Sequence, residues 1–403
     1  MSSPRTDDRK TVAFVSCAPH QTRLFAFLRR ALPPAARSTL VNVNVLPLTP
    51  GFWSAALRSL FAPRIPLEVS GPVIALDYRK YIVNRAIVLR PFDGFVEWLW
   101  RRVAAIYISL FEARLRKQSA NLLVVWGGFQ LPIAAALAAA RRLGIKTLYC
   151  ENGYLPKTMV MDSKGINAGN SLMGRAPDFY RDISMAEALR TTLFDTDLVV
   201  RPFKYGSAAS ENITLPERFV FLPLQVHDDS QILLYSPDFR DMPSVVRFCA
   251  EGVAAYNKSS RTALTLVVKE HPSDHGRIDY SALYREFPGV IFTKTLNTQQ
   301  LIERSSAVIT VNSTVGIEAM LRFKPVIALG DAFYAVPGLV MSCRAGDNLG
   351  QALSRTLETA VDRDLTERFL YFLRYDYLIP LDRNDLASSD ARPAVARILE
   401  TLS

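Results

Sequence analysis

The stretch from Asn121 to Cys150 limits the possible folds more than any other part of this chain. Asn121–Trp126 is an apolar, β-branched run of strand length, and Gly127-Gly128 supplies a turn. Leu131–Leu143 is alanine-rich and helical in pattern, Gly144 suits the left-handed position after a helix, and Lys146–Cys150 is a second strand. Strand, helix and strand in that order make a right-handed crossover, so the two strands are expected to be parallel neighbours. The same alternation returns after Arg218. Phe219–Leu224, Leu264–Val268, Val290–Phe292, Ala307–Val311 and Pro325–Leu329 read as strands, with helices near Ser244–Asn257, Thr298–Arg304 and Gly316–Phe323.

Thr11–Ser16 reads as a buried strand followed by a helix from about Gln21 to Leu32, and residues 33–100 read as irregular. Phe95–Lys117 has the pattern of a basic amphipathic helix, which suits either a core helix with an arginine-rich outer face or a membrane surface. Glu151–Pro177 reads as a long loop and Ser184–Leu193 as a helix. The last forty residues look helical and are expected to return across the domain junction. A length of 403 residues exceeds one ordinary core. Two α/β halves follow: an N-terminal Rossmann-like domain over 1–210, a second over 211–370, and helices over 371–403 crossing back to the first. The expected fold class is α/β, with two Rossmann-like domains facing across a cleft, the arrangement called GT-B in glycosyltransferases.

With 49% hydrophobic and 21% charged residues, the composition excludes a disordered chain. No apolar run reaches the roughly 18 to 20 residues that span a bilayer, and Met1–Lys10 is polar with no signal-peptide core. A cytoplasmic protein is expected. Cys17, Cys150, Cys249 and Cys343 lie too far apart for a zinc spacing or a disulfide framework. The net charge of +10 favours acidic partners such as nucleotides, anionic lipid or acidic glycan. No nucleic-acid-binding signature accompanies it, so nucleic acid is not an expected partner.

Chemistry-bearing residues gather at strand ends, where open α/β sheets bind ligands. Lys269 and His271, before Pro272, can neutralise a phosphate or carboxylate. Asn312-Ser313-Thr314-Val315-Gly316 places hydroxyls, amides and a glycine at a helix start, suited both to capping and to an anion. Together these two openings describe a nucleotide-phosphate pocket. Glu151, in Glu151-Asn152-Gly153-Tyr154, is a carboxylate at a strand end that suits acid–base work or a local cap. Gln225 opens a segment through Asp228, Asp229, Ser230 and Gln231, whose adjacent acids suit a nucleophile, a base, metal ligands or a solvated turn. The loop around Asn167, Asn170 and Ser171 has the composition of a ligand-wrapping or a surface turn. Asp195-Thr196-Asp197 has the DxD form of a metal motif but lacks supporting ligands. Gly127-Gly128 lacks the rest of a dinucleotide fingerprint, and there is no phosphate loop with its lysine, which excludes dehydrogenase and P-loop chemistry.

On these segments the chain resembles the bacterial capsule polysaccharide biosynthesis family, which includes β-Kdo transferases, and most closely its shorter, KpsS-like members. The residues carrying the likeness are Glu151–Pro156, Gly165-Ile166-Asn167 with Asn170-Ser171-Leu172, and Pro177–Arg181. Leu224-Gln225-Val226 with Asp229–Ile232, Lys269 with His271-Pro272, and Asn312-Ser313-Thr314 with Gly316 complete it. The resemblance implies a GT-B fold, a CMP-Kdo donor, no metal or other cofactor, and transfer of Kdo with retained β configuration. It implies Asp229 as the catalytic carboxylate, acting as nucleophile, and Glu151 as its acid/base partner. Lys269 and His271 would meet the donor's phosphate or sugar carboxylate, Ser313 and Thr314 the phosphate, and Glu318 the ribose, with Asn312 and Gly316 shaping the loop. Gln225 and Ser230 belong to the donor side, and Asn152, Gly153, Asn167, Asn170 and Ser171 to the sugar and acceptor loop. The implied acceptor is an anionic lipid of lyso-phosphatidylglycerol type or a lipid-linked glycan. The implied setting is peripheral at the inner face of the inner membrane, alongside other polysaccharide synthesis enzymes. Two alternatives remain open at this stage: an inverting CMP-sialic acid transferase, and a non-catalytic membrane-surface component of capsule assembly or export.

Overall fold

Each of the short apolar runs becomes a strand in one of two sheets. The structure, a computed structural model, describes residues 9–61, 67–194, 213–274 and 278–403. Its contacts divide the chain into unit 1, comprising Met1–Gly153, Lys157–Ser171 and Leu378–Ser403, and unit 2, comprising Tyr154–Pro156 and Leu172–Tyr377. The single cut expected at residue 210 lies outside the described residues. Residues 172–194 group with unit 2, and the return of the C-terminal segment to unit 1 starts at Leu378 rather than at residue 371.

Unit 1 is built on strands β1 (Thr11–Ser16), β2 (Arg37–Asn42), β3 (Ala120–Trp126), β4 (Lys146–Asn152) and β5 (Met159–Asp162), in the spatial order β2-β1-β3-β4-β5. All six residues of β1 are buried, as a parallel strand covered on both faces requires. The crossover read from Asn121–Cys150 is present: β3 and β4 are parallel, with Leu122 opposite Lys146. Its helix, Ile133–Arg142, is buried at every position from Ile133 to Ala140. Alanine makes this possible, because a helix enclosed all round needs small side chains to keep its neighbours close. The helix Pro19–Ala31 buries Leu24, Phe25 and Leu28 on one stripe. Leu378–Ser403 closes the same core. Met159 and Ile379 exchange backbone hydrogen bonds at 2.8 Å, and the helix Arg392–Leu402 buries Ala394, Val395, Ile398 and Leu402.

Three readings of unit 1 are corrected. Residues 33–100 are not irregular: they hold β2, helices Pro50–Phe61 and Leu67–Asn84, and the 3₁₀ turns Val43–Leu48 and Ile87–Phe92. β2 lacked a strand signature because it lies at the sheet edge with only Val41 buried. Glu151 does not follow β4 but lies within it, opposite Val160, because β5 folds back antiparallel and lengthens the strand. Consequently the loop read over Glu151–Pro177 contains a strand.

Unit 2 has six parallel strands: β6 (Phe219–Pro223), β7 (Thr265–Lys269), β8 (Ile291–Thr293), β9 (Ala307–Thr310), β10 (Val326–Ala328) and β11 (Met341–Ser342), ordered β11-β10-β9-β6-β7-β8. The helix Met242–Ser259 is capped by Asp241, whose carboxylate accepts from the Ser244 amide at 2.7 Å. It buries Val245, Val246, Cys249, Val253 and Tyr256 against the sheet, a 3.6-residue repeat. The helix Leu349–Glu358 packs on it so closely that a Cβ at Gly252 would stand 2.5 Å from Leu349. Ser184–Leu193, read as one helix, forms only the turn Glu187–Arg190. That region belongs to unit 2 because Tyr180, fully buried, packs its ring 5.0 Å from Phe369 of the helix Arg363–Tyr371, and Arg181 pairs with Asp362 at 2.6 Å. Among the described residues no helix is long and apolar enough to cross a membrane.

Candidate functional site

The order of the strands in unit 2 locates the site. From β6 the chain moves outward to β7 and β8, then crosses to β9 on the other flank of β6 and continues to β10 and β11. The direction of winding therefore reverses between β6 and β9. At such a switch point the loops leaving two adjacent strands part to opposite faces, opening a crevice beyond their carboxyl ends. The segments that follow β6, β7 and β9 are those that carry Asp229, His271 and Asn312-Ser313-Thr314.

Gln225 and Asn312 face each other there and are both buried, 5% and 2% exposed. The Gln225 amide nitrogen donates to Asn312 Oδ1 at 3.1 Å, and the Asn312 backbone N–H donates to Gln225 Oε1 at 3.3 Å. Asn312 Nδ2 donates in turn to the carbonyls of Gln231 at 3.0 Å and Tyr235 at 3.2 Å. The Gln231 side chain donates back to the Asn312 carbonyl at 3.3 Å. One asparagine thus ties the exit of β9 to the exit of β6 and to the short helix Ser230–Tyr235. The structure gives Gln225 and Asn312 the task of fixing the two loops in register.

Asp229 sits at the N-cap of that helix, its Oδ1 accepting from the Gln231 amide at 2.9 Å and from the Ser230 hydroxyl at 3.3 Å. Ser230 therefore serves Asp229 directly. After β7, His271 and Asp274 close a turn through Pro272, with the Asp274 N–H donating to the His271 carbonyl at 3.0 Å. The Ser273 N–H donates to His271 Nδ1 at 3.0 Å. A ring nitrogen that accepts holds no proton, so the imidazole carries its hydrogen on Nε2. Lys269, the last residue of β7, is 9% exposed, and its ammonium donates to the Leu296 carbonyl at 2.5 Å and the Thr298 hydroxyl at 2.8 Å. Its charge lies near the strand ends, while these bonds hold the loop after β8.

The helix Val315–Met320 starts behind Ser313, whose Oγ accepts from the Val315 amide at 3.3 Å, whereas the Thr314 side chain makes no cap bond. Gly316 is required by packing. A Cβ there would stand 2.7 Å from the ring of Tyr334, a fully buried residue whose hydroxyl donates to the Ser313 carbonyl at 2.5 Å. Burial pushes the Tyr334 phenol up, so it stays a donor. Glu318 is buried, 6% exposed, in the first turn of that helix, where a carboxylate meets the positive end of the dipole.

Sequence reasoning passed over one cluster. His227 Nδ1 and Asp274 Oδ1 lie 3.2 Å apart, both buried, and the Tyr280 hydroxyl donates to the other Asp274 oxygen at 3.4 Å. These bonds join the loop that carries Asp229 to the loop that carries His271. Burial, and then the Asp274 carboxylate, push the Tyr280 phenol up. A separation of 47 residues between His227 and Asp274 leaves no local pattern to find.

Unit 1 holds the other predicted residues. Glu151, half-buried on β4, accepts from the Asn152 amide at 2.9 Å. Gly153 is needed where it stands, since a Cβ would lie 2.6 Å from the Thr158 backbone. The loop bearing Asn167, Asn170 and Ser171 is organised by Asp162, buried at 3% exposure. Asp162 Oδ1 accepts from the amides of Lys164 at 2.7 Å and Gly165 at 3.3 Å, and Oδ2 from the Ser171 amide at 2.9 Å and hydroxyl at 2.6 Å. Asn170 is buried and Asn167 takes a left-handed backbone, φ +54°. A Cβ on Gly165 would meet the Gly169 carbonyl oxygen at 2.6 Å, backbone against backbone. Gly165→Ala is expected to cost about 1–3 kcal/mol and to lower the melting temperature by several degrees in a thermal scan. Asp195-Thr196-Asp197 lies outside the described residues.

Comparison with known proteins matches residues 204–368 to the family described as capsule polysaccharide biosynthesis protein. Over 308 residues the chain is 32% identical to protein FixF of Sinorhizobium fredii, covering 75% of this chain and 71% of FixF. It is 26% identical to the capsule polysaccharide export protein KpsS of Escherichia coli over 257 residues, 50% of this chain and 64% of KpsS. Among solved structures it aligns with the β-Kdo 2,7 transferase of KpsC from Thermosulfurimonas dismutans at a TM-score of 0.43 and 17% identity, covering 73% of this chain and 90% of that one. The matched segment spans the β6, β7 and β9 exits and the helices that follow them. On the extent of the sequence match to FixF and the family match over unit 2, the chain belongs to the capsule polysaccharide biosynthesis family.

Proposed function

We propose that this protein is a glycosyltransferase that moves Kdo from CMP-Kdo, with retained β configuration, onto an anionic lipid or lipid-linked glycan at the inner face of the membrane. The observation that carries the reading is the switch point of unit 2, where an acid, an imidazole and a helix start leave three neighbouring strands. Kdo bears a carboxylate on its anomeric carbon and departs from CMP, so a donor site must offset two negative charges. His271 Nε2–H is the donor for the phosphate, and the Ser313 and Thr314 hydroxyls are assigned to the same group. Lys269, committed to the loop after β8, contributes through its field. Glu318 is assigned to the ribose hydroxyls.

In the first step a carboxylate oxygen of Asp229 attacks the anomeric carbon, and the bond to the CMP oxygen breaks with its electron pair leaving on CMP. CMP is a competent leaving group once its phosphate is stabilised, so the step needs no proton donor. In the second step the acceptor hydroxyl displaces Asp229 from the same carbon and gives up its proton to a general base. Two inversions leave the configuration unchanged. Neither step calls for a metal or other cofactor.

Intact-mass measurement of the protein incubated with CMP-Kdo tests this reading. A one-Kdo increment on the peptide holding Asp229 supports it. Turnover with an inverted product, or with CMP-sialic acid alone, removes it. Turnover should also respond to His271→Ala, with KM for CMP-Kdo raised about 10- to 100-fold, the scale of one lost charge-assisted hydrogen bond. Steady-state kinetics of CMP release reads that change directly.

A further inference from the structure

The apolar surface of unit 1 is concentrated in one stretch. Among the described residues, twelve of the fifteen large hydrophobic side chains that stand exposed lie between Val45 and Leu99. The helices Leu67–Asn84 and Asp93–Lys117 form a hairpin whose turn is the 3₁₀ segment Ile87–Phe92, and none of that segment is buried. Ile87 and Val88 are each 75% exposed and Phe92 56%. Beside them Phe95 and Trp98 stack at 5.8 Å and are 60% and 50% exposed, with the Arg102 guanidinium 5.4 Å over the Trp98 ring. Trp53, 65% exposed, lies on the helix Pro50–Phe61, which packs against Asp93–Lys117. A turn that puts consecutive apolar residues into water gains nothing from the fold itself, since contiguous exposed apolar surface of this kind marks an interface.

Charge identifies what covers it. Residues 45–117 carry eleven Lys and Arg against five Asp and Glu, so most of the chain's net charge of +10 resides in this part of unit 1. Arg79, Arg90, Arg116 and Lys117 are exposed there. A second copy of the chain would set one cationic surface against another in a two-fold contact. An anionic bilayer neutralises it, accepts the apolar turn below the headgroups, and suits Trp and Phe at the boundary. We propose that this helical hairpin is an interfacial anchor that seats unit 1 on an anionic phospholipid surface, with Ile87–Phe92 as the inserted turn. The inference does not depend on the identity of the sugar donor.

Sedimentation of the full chain with sucrose-loaded vesicles tests it, using phosphatidylcholine alone and phosphatidylcholine mixed with phosphatidylglycerol. The expected result is binding to the mixed vesicles, with tryptophan emission shifted to the blue, and at least tenfold weaker binding to the neutral ones. Val88→Asp combined with Phe92→Asp should lower binding to the mixed vesicles at least tenfold. It should leave the circular dichroism spectrum unchanged, because both positions are already in water. Absence of binding by the natural chain, or equal binding by the variant, would overturn the anchor. So would a dimer in light scattering that the variant disperses, which would assign the face to a second copy. CMP release from CMP-Kdo is measured on both proteins in the same preparation. Absence of release from both would remove the donor reading while leaving the vesicle result standing.

Discussion

Asp229→Asn is expected to lower CMP release from CMP-Kdo by about 10³-fold or more, the scale seen when a covalent nucleophile is removed. The substitution is chosen for what it keeps. Asp229 caps the helix Ser230–Tyr235 through the Gln231 amide, and asparagine is an equally good cap, so that bond survives. Asp229→Ala would remove both roles, adding about 1 kcal/mol of lost cap to the chemical defect. The comparison therefore separates capping from chemistry. A melting temperature unchanged in the asparagine variant, with turnover gone, assigns the carboxylate to the reaction. Turnover retained by the asparagine variant would leave Asp229 a cap and nothing more, and the retaining mechanism would fall with it.

The second large effect is on stability. Asn312→Ala would leave the Gln225 amide without its acceptor and take the side-chain donor from the Gln231 and Tyr235 carbonyls, of which Tyr235 keeps the Asp331 N–H at 2.9 Å, all in a nearly water-free site. A buried polar group left unsatisfied costs about 1–3 kcal/mol, and the Tyr235 carbonyl keeps a backbone donor, so a total of about 2 kcal/mol is expected. Urea denaturation followed by circular dichroism measures it. Gln225→Ala added to Asn312→Ala should cost far less than the sum of the two single changes, because the second removes a partner already orphaned by the first. Strict additivity would mean that the bonds between the two loops hold nothing together. Donor affinity should fall with stability, since the same bonds set the spacing of the β6 and β9 exits.

How much of this was readable beforehand depends on whether a feature is local. The crossover from β3 to β4 was legible because β3 is buried from Leu122 to Trp126 and reads as an unbroken apolar run, and β4 is buried at its centre, Leu148–Cys150. β2 was invisible for the opposite reason: Arg37–Asn42 presents one buried side chain, Val41, at the sheet edge. The helices Pro50–Phe61 and Leu67–Asn84 escaped notice because part of their apolar surface faces water and Pro72 sits inside the second. At the site, the residue types and their strand-end positions were legible for Asp229, His271 and Ser313. Their partners were not. That β9 lies beside β6 is a property of strand order, so no spacing in the sequence could pair Gln225 with Asn312 or His227 with Asp274. Lys269 was legible as a cation at a strand end, but its bonds to Leu296 and Thr298, brought in by β8, were not.

Unit 1 joins segments far apart in the chain, with Lys10 donating to the Leu402 carbonyl at 2.9 Å. On a ribosome that arrangement inverts the order of maturation. The nascent chain must emit β1 to β5 and then all of unit 2 before Ile379, Ile398 and Leu402 exist to cover the first sheet. The sheet translated earliest is therefore the last to be sealed. Premature termination between residues 171 and 378 would release a protein whose first sheet keeps an exposed apolar face.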